Sequence, residues 1–339
     1  MRFKLPSHKR LSMKKAMLVA AVFLLGALAG WGAARSLAHQ STFGTASSLR
    51  LSDPDYKLIS PLLLSDSGRP ADKDITDKLK VETYDLLNQP NMQSISVYFR
   101  DLKTGTWAGI DENAEYSPAS LLKVPIMIAW FKKAEDHSGL LNTELVYSAP
   151  IDPASEAGTV LKVGSSYTVE QLISYMIKQS DNGAKDLLLV NLDDDTINSV
   201  FSDLGIENWG TGPHDTEHIS PVIYSRFLRI LYNASYLNRD YSEKALDLLS
   251  TTDFNAGIVA GVPEGTTVAH KFGEYEDPAA TTAELHDCGI IYHPTNPYLL
   301  CVMTKGNANV TLNDLENVLK VTSEAVYTLV NTDLAKRGN

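Results

Sequence analysis

The sequence predicts an α+β fold: a five-stranded antiparallel sheet flanked by N- and C-terminal helices, with an all-helical subdomain inserted between its strands. Three observations lead there. Two strand-like runs follow a first amphipathic helix, a series of capped helical segments comes next, and three more strand-like runs precede a last amphipathic helix. That order splits one sheet around a helical insertion, and no internal repeat offers another architecture.

Each element has a local cause. From Lys73 to Asn88 the apolar positions Ile75, Leu79, Val81, Tyr84, Leu86 and Leu87 predict a helix with one core-facing stripe. Ser94 to Phe99 and Thr106 to Ile110 read as strands around a turn at 101–105. A helix starting near Pro118 and running through Trp130 is apolar on nearly every side, as a helix in the middle of a domain must be. Thr168 with Gln171 forms a capping box for a helix through Gln179, and Gly183 to Leu192 forms another. Asp195 to Leu204 closes at Gly205, Ser220-Pro221 opens Val222 to Tyr232, and Ser242 opens Glu243 to Leu249. Strands return at Thr266 to Phe272, Glu284 to Tyr292 and Tyr298 to Thr304, and a helix from Asn313 to Val330 ends the fold.

With 339 residues the chain has room for a sizeable core. Its charge is unevenly spread. The first 35 residues hold seven basic residues and no acid, so the remainder carries 23 basic against 41 acidic residues, a formal charge of −18. A body that acidic excludes nucleic acid as a natural partner. Six of the early positive charges precede Ala16 to Ala34, a stretch of 19 residues without a charge. This is the pattern of a membrane signal-anchor, and Ala27-Leu28-Ala29 makes a removed signal peptide the alternative. Either way the body is expected outside the cytoplasm. The organisation read from the sequence is residues 1–35 as basic flank and membrane segment, 36–72 as polar linker, 73–332 as folded domain and 333–339 as tail. Cys288 and Cys301 fall on neighbouring strands and read as a buried thiol pair, because strand-pair geometry rarely suits a disulfide. No zinc-spaced cluster and no Gly-rich phosphate loop occurs, so no metal or other cofactor is expected.

Chemistry enters at Ser120 and Lys123. On a helix they project from one face, close enough for the amine to reach the hydroxyl. A lysine among Leu121, Leu122, Ile126 and Met127 loses hydration, which lowers its pKa and makes it a base for a serine nucleophile. The spacing alone is weak, since Ser12 and Lys15 repeat it in the basic flank. More specific is Ser180-Asp181-Asn182, in a break between two helices, although such residues also suit a capping loop. A third element, Lys-x-Gly, matches at Lys103-Thr104-Gly105, Lys162-Val163-Gly164 and Lys271-Phe272-Gly273. The first is explained by its turn and the second lies in a loop, so the third, ending a strand after the helical region, is preferred.

In this order the three elements resemble the penicillin-recognising serine hydrolases, most closely the class A β-lactamases, over about residues 73 to 332. The resemblance implies the β-lactamase/transpeptidase-like fold and a role for each matched residue. Ser120 would be the acylated nucleophile, Lys123 would help remove its proton, and Ser180 would relay a proton to the leaving nitrogen. Asn182 would bind the substrate's amide side chain, Lys271 would attract its carboxylate, and Gly273 would let it approach the strand. The Ser120 N–H and the strand just past Gly273 would form the oxyanion hole.

Two departures stand out. Phe272 occupies a position where the family usually has Thr or Ser, and the family's Glu-x-x-Leu-Asn loop is missing between Gly205 and Ser220. Glu217, Asp215 and Glu207 are candidate substitutes for its glutamate, set against the plainer reading of exposed loop acids. His286 and Asp287 are adjacent on a strand and so face apart, which gives them and His270 structural roles. The expected substrate is a β-lactam. A D,D-peptidase or transpeptidase acting on cell-wall peptides, and a catalytically weak sensing domain on the same scaffold, are the alternatives.

Overall fold

Asp72 starts the first helix, α1 (Lys73–Leu87), by accepting the backbone N–H groups of Asp74 and Ile75. The structure, a computed structural model, describes residues 50–334 apart from 52, 63–71, 154, 155, 157, 207–217, 278 and 280. The apolar run at 16–34 and the loop acids Glu207, Asp215 and Glu217 therefore lie outside the described residues. Among the described residues no helix is long and apolar enough to cross a membrane.

After α1 come β1 (Met92–Asp101) and β2 (Trp107–Ile110), then a 3-10 turn (Ala119–Leu122) leading into α2 (Lys123–Asp136). A small hairpin of β3 (Glu144–Tyr147) and β4 (Ser165–Thr168) precedes α3 (Val169–Lys178), α4 (Asn182–Val190) and α5 (Asp194–Asp203). Next are α6 (Pro221–Tyr232), α7 (Arg239–Leu249), β5 (Val268–Glu276), β6 (Thr282–Ile291), β7 (Tyr298–Asn307) and α8 (Leu312–Leu329). The main sheet has the order β2-β1-β7-β6-β5, with every pair antiparallel. This is the five-stranded α+β architecture expected.

β7 lies at the centre of the sheet and shows why it reads as a continuous apolar run. Leu299, Cys301 and Met303 face the helical side, while Tyr298, Leu300 and Val302 pack with Ile75 and Leu79 of α1 and Leu315, Val318 and Leu319 of α8. Both faces of the sheet are buried. β5 is one of the two edge strands of this sheet, and it lies against the turn that carries Ser120.

Five details depart from the sequence reading. Ser120 and Lys123 do not share one α-helix, because Ala119 adopts a positive φ of 46° and the chain tightens into a 3-10 turn before α2 begins. The β3–β4 hairpin was not foreseen: its strands have four residues each, and the long connection between them carries no tight-turn signal. Helix α7 starts earlier, capped by Asn238, whose side chain accepts the Tyr241 N–H; Ser242 is buried inside it. Cys288 and Cys301 are joined by a disulfide rather than held as thiols. The register sets them directly opposite on one face of β6 and β7, so the two sulfurs meet.

The last departure concerns the linker. Its described part is laid on the helical lobe. Glu243 accepts the backbone N–H groups of Lys57, Leu58 and Ile59, Tyr292 donates to the Leu58 carbonyl, and the Ser60 N–H donates to the Tyr232 carbonyl.

Candidate active site

The site begins with the turn. In a 3-10 helix residues i and i+3 eclipse one another, so the Lys123 amine returns over Ser120 and lies 2.9 Å from its Oγ. The strained φ at Ala119 falls on the smallest side chain that still has a Cβ, and a second positive φ, 55°, lies at Ser180. Both outliers flank the same few atoms. The turn is gripped from β6: Glu284 accepts the Ser117 N–H at 2.9 Å, and His286 Nε2 lies 2.9 Å from the Ser117 carbonyl. The Thr304 N–H donates to His286 Nδ1, which leaves Nε2 protonated and donating. Lys305 lies 3.0 Å from the other Glu284 oxygen.

Ser180 enters from the break between α3 and α4. Asp181 caps α4 by accepting the Ala184 N–H at 2.7 Å, and it also takes the Thr159 hydroxyl and the Val160 N–H. The middle residue of this tripeptide is therefore structural, and it aims its neighbours. Lys123 Nζ meets the Ser180 carbonyl at 2.6 Å, the Ser180 Oγ at 3.0 Å and Asn182 Oδ1 at 2.7 Å. Lys271, from β5, meets the same Ser180 Oγ at 3.0 Å and its ammonium sits 4.1 Å from the Phe272 ring centroid. Phe272 in turn stacks on Phe254.

The two lysines are 1% and 0% exposed. Burial is the main force on each. It pushes the Lys123 amine down to about 7, helped by the charge of Lys185 and opposed by Asp181 and Asp186. Burial and then the Lys123 charge hold Lys271 well below the ordinary lysine value, with Asp287 opposing. A neutral Lys123 has two N–H groups and one lone pair. Two of its neighbours, the Ser180 carbonyl and Asn182 Oδ1, can only accept, so the lone pair is left for a hydroxyl.

The structure thus brings together Ser120, Lys123, Ser180, Asn182 and Lys271. Gly273 is close too, but what its missing side chain makes room for is the turn: a Cβ there would lie 2.9 Å from the Pro118 carbonyl oxygen and 3.2 Å from the Leu121 nitrogen. The other two Lys-x-Gly strings are turns, with Gly105 and Gly164 at φ of 76° and 84°. His286 and Asp287 face apart as expected, and Asp287 pairs instead with His270 at 2.8 Å on the other side of the sheet. Sequence reasoning missed the grip of Glu284 and His286 on Ser117. Alternation along β6 turns both toward the turn, but nothing local tells which segment lies opposite. A cavity of about 540 Å³ opens beside the turn, between Ser117 to Ala119 and the ends of β5 and β6.

A split antiparallel sheet with a Ser-x-x-Lys turn at its edge strand defines the β-lactamase/transpeptidase class of fold. A family model described as the Beta-lactamase enzyme family matches residues 78–330, and the chain belongs to that family. Beta-lactamase VEB-1 of Pseudomonas aeruginosa is 22% identical over 274 residues, which covers 73% of this chain and 90% of that protein. The solved structure of PBP-A aligns with a TM-score of 0.66 and 23% identity over 78% of this chain and 99% of its own. The TLA-1 extended-spectrum β-lactamase aligns with a TM-score of 0.66 and 17% identity over 75% and 99%. These structural likenesses speak for the fold.

Proposed function

We propose that this protein is an exported serine hydrolase that opens β-lactam or related amide bonds through an acyl-enzyme on Ser120. One observation carries the reading: the lone pair of a neutral Lys123 has a hydroxyl to turn to, 2.9 Å away at Ser120. Attack of Oγ on the substrate carbonyl sends the hydroxyl proton to Lys123. Ser180, within 3.0 Å of both amines, passes a proton to the leaving nitrogen as the C–N bond breaks. Lys271 stands where a substrate carboxylate would draw its amine back toward the charged form, and Asn182, its Oδ1 taken by Lys123, keeps its N–H₂ for a substrate carbonyl. Backbone N–H groups at Ser120 and past Gly273 would hold the oxyanion. The basic flank and apolar run at the N-terminus support delivery across a membrane and anchoring there.

A β-lactam carrying a fluorescent label should mark the wild type and leave Ser120→Ala unlabelled. Equal labelling of both removes Ser120 as nucleophile. The missing Glu-x-x-Leu-Asn loop favours a second reading, a D,D-peptidase or transpeptidase that binds penicillin and releases it slowly. A single burst of a chromogenic cephalosporin with no steady state would select that reading.

A further inference from the structure

Asp186 lies on α4, one turn past Asn182 and therefore on the same helical face, the face whose Asn182 side chain touches Lys123. It is 8% exposed. One carboxylate oxygen, Oδ1, is held by Lys185 at 2.8 Å, whereas Oδ2 is buried and has no hydrogen-bond partner among the described residues. A buried carboxylate oxygen without a partner is costly, and a catalytic task is one reason a native structure keeps such a group. The charge of Asp186 reaches Lys123, and it also reaches the Tyr147 hydroxyl, a second buried polar atom without a partner.

We propose that Asp186 is the base that activates water against the Ser120 acyl-enzyme, the task left open by the absent Glu-x-x-Leu-Asn loop. The inference rests on the acyl-enzyme reading above. The water oxygen bonds to the ester carbonyl carbon as its proton passes to Asp186 Oδ2. Collapse of the tetrahedral adduct breaks the bond from carbon to Oγ of Ser120, and the proton returns to Oγ by way of Lys123. The product leaves as a carboxylic acid, and both side chains regain their starting state. Lys185 holds the carboxylate ready to accept, and Asn182, one turn back on the same helix, meets Lys123, which in turn meets Ser120.

Rapid mixing of the full chain with a chromogenic cephalosporin, followed by intact mass measurement, tests this. Wild type and Asp186→Asn should both give a burst of one equivalent, at rates within about threefold of each other. Steady-state turnover of the variant should fall at least about 100-fold, the low end for loss of a general base, and the adduct should persist. Turnover within about threefold of wild type overturns the proposal, as does loss of acylation together with turnover. A second measurement needs no variant: the wild-type acyl-enzyme, formed and then shifted across pH 6 to 8, should deacylate with a pH profile distinct from that of acylation. A deacylation rate that climbs with the acylation rate near pH 7 makes Lys123 the base and overturns the proposal. Wild type that acylates but never turns over removes the role of Asp186 and leaves Ser120 as nucleophile; wild type that never acylates removes the reading beneath it.

Discussion

Raising the pH from 7 to 9 should stabilise this protein, with Lys123 supplying a definite share. Its amine falls from 10.5 to about 7 on folding, through burial first and the nearby Lys185 charge second. Between those two values the unfolded chain holds a proton that the native chain lacks. Stability therefore rises with pH through that window, and the full cost of burying the lysine is felt below it. For one lysine with those two values the gain from pH 7 to 9 is about 2 kcal/mol. Lys271, also depressed by burial, adds a gain of the same sign. Urea unfolding of wild type and Lys123→Met at pH 7, 8 and 9, in one salt concentration, measures the share directly. Methionine keeps the apolar stem and removes the titration, so wild type should gain about 2 kcal/mol more than the variant across the range. Equal gains in the two proteins, or a wild type whose stability does not change, would refute the argument that burial neutralises Lys123.

Three more outcomes are expected. Acylation should climb about tenfold from pH 6 to 8 as the neutral fraction of Lys123 grows, and a flat profile in stopped-flow labelling would count against the lysine as base. Gly273→Ala puts a methyl group against the backbone of Pro118 and Leu121, which should cost about 1–3 kcal/mol in urea unfolding and slow labelling of Ser120. Unchanged labelling would show that the turn can shift without displacing its hydroxyl. Glu243→Ala removes the acceptor of three backbone N–H groups, so trypsin should cut after Lys57 faster than in wild type. Equal cutting rates would show that the other contacts suffice to hold the segment.

Much of this fold could be read from short-range signals. The capping box at Thr168 and Gln171, the Ser220-Pro221 start and the stripe from Ile75 to Leu86 depend only on residues within a turn or two, and each element formed near its expected bounds. Where a tertiary contact overrides the local pattern, the sequence reading slipped. Ala119 bends the expected helix into a 3-10 turn where the chain packs closely against β5, as the clash predicted for any side chain at Gly273 shows. Cys288 and Cys301 read from the sequence as a buried thiol pair, and the register that sets them face to face joins them.

The sequence by itself determined which residues could do chemistry here: a serine and a lysine three apart, a Ser-Asp-Asn break and a late Lys-x-Gly strand. Only the tertiary structure decided that Lys123 and Lys271, from segments far apart in the chain, close on one Ser180 hydroxyl, and that the Ser120 turn is gripped by Glu284 and His286. Spacing within a turn is fixed by backbone geometry, whereas the approach of distant segments is fixed by strand register and by which faces must leave water. Desolvation follows the second rule. A lysine in a list of letters is a charge, and this one loses much of that charge near neutral pH only because the fold shuts water out around it.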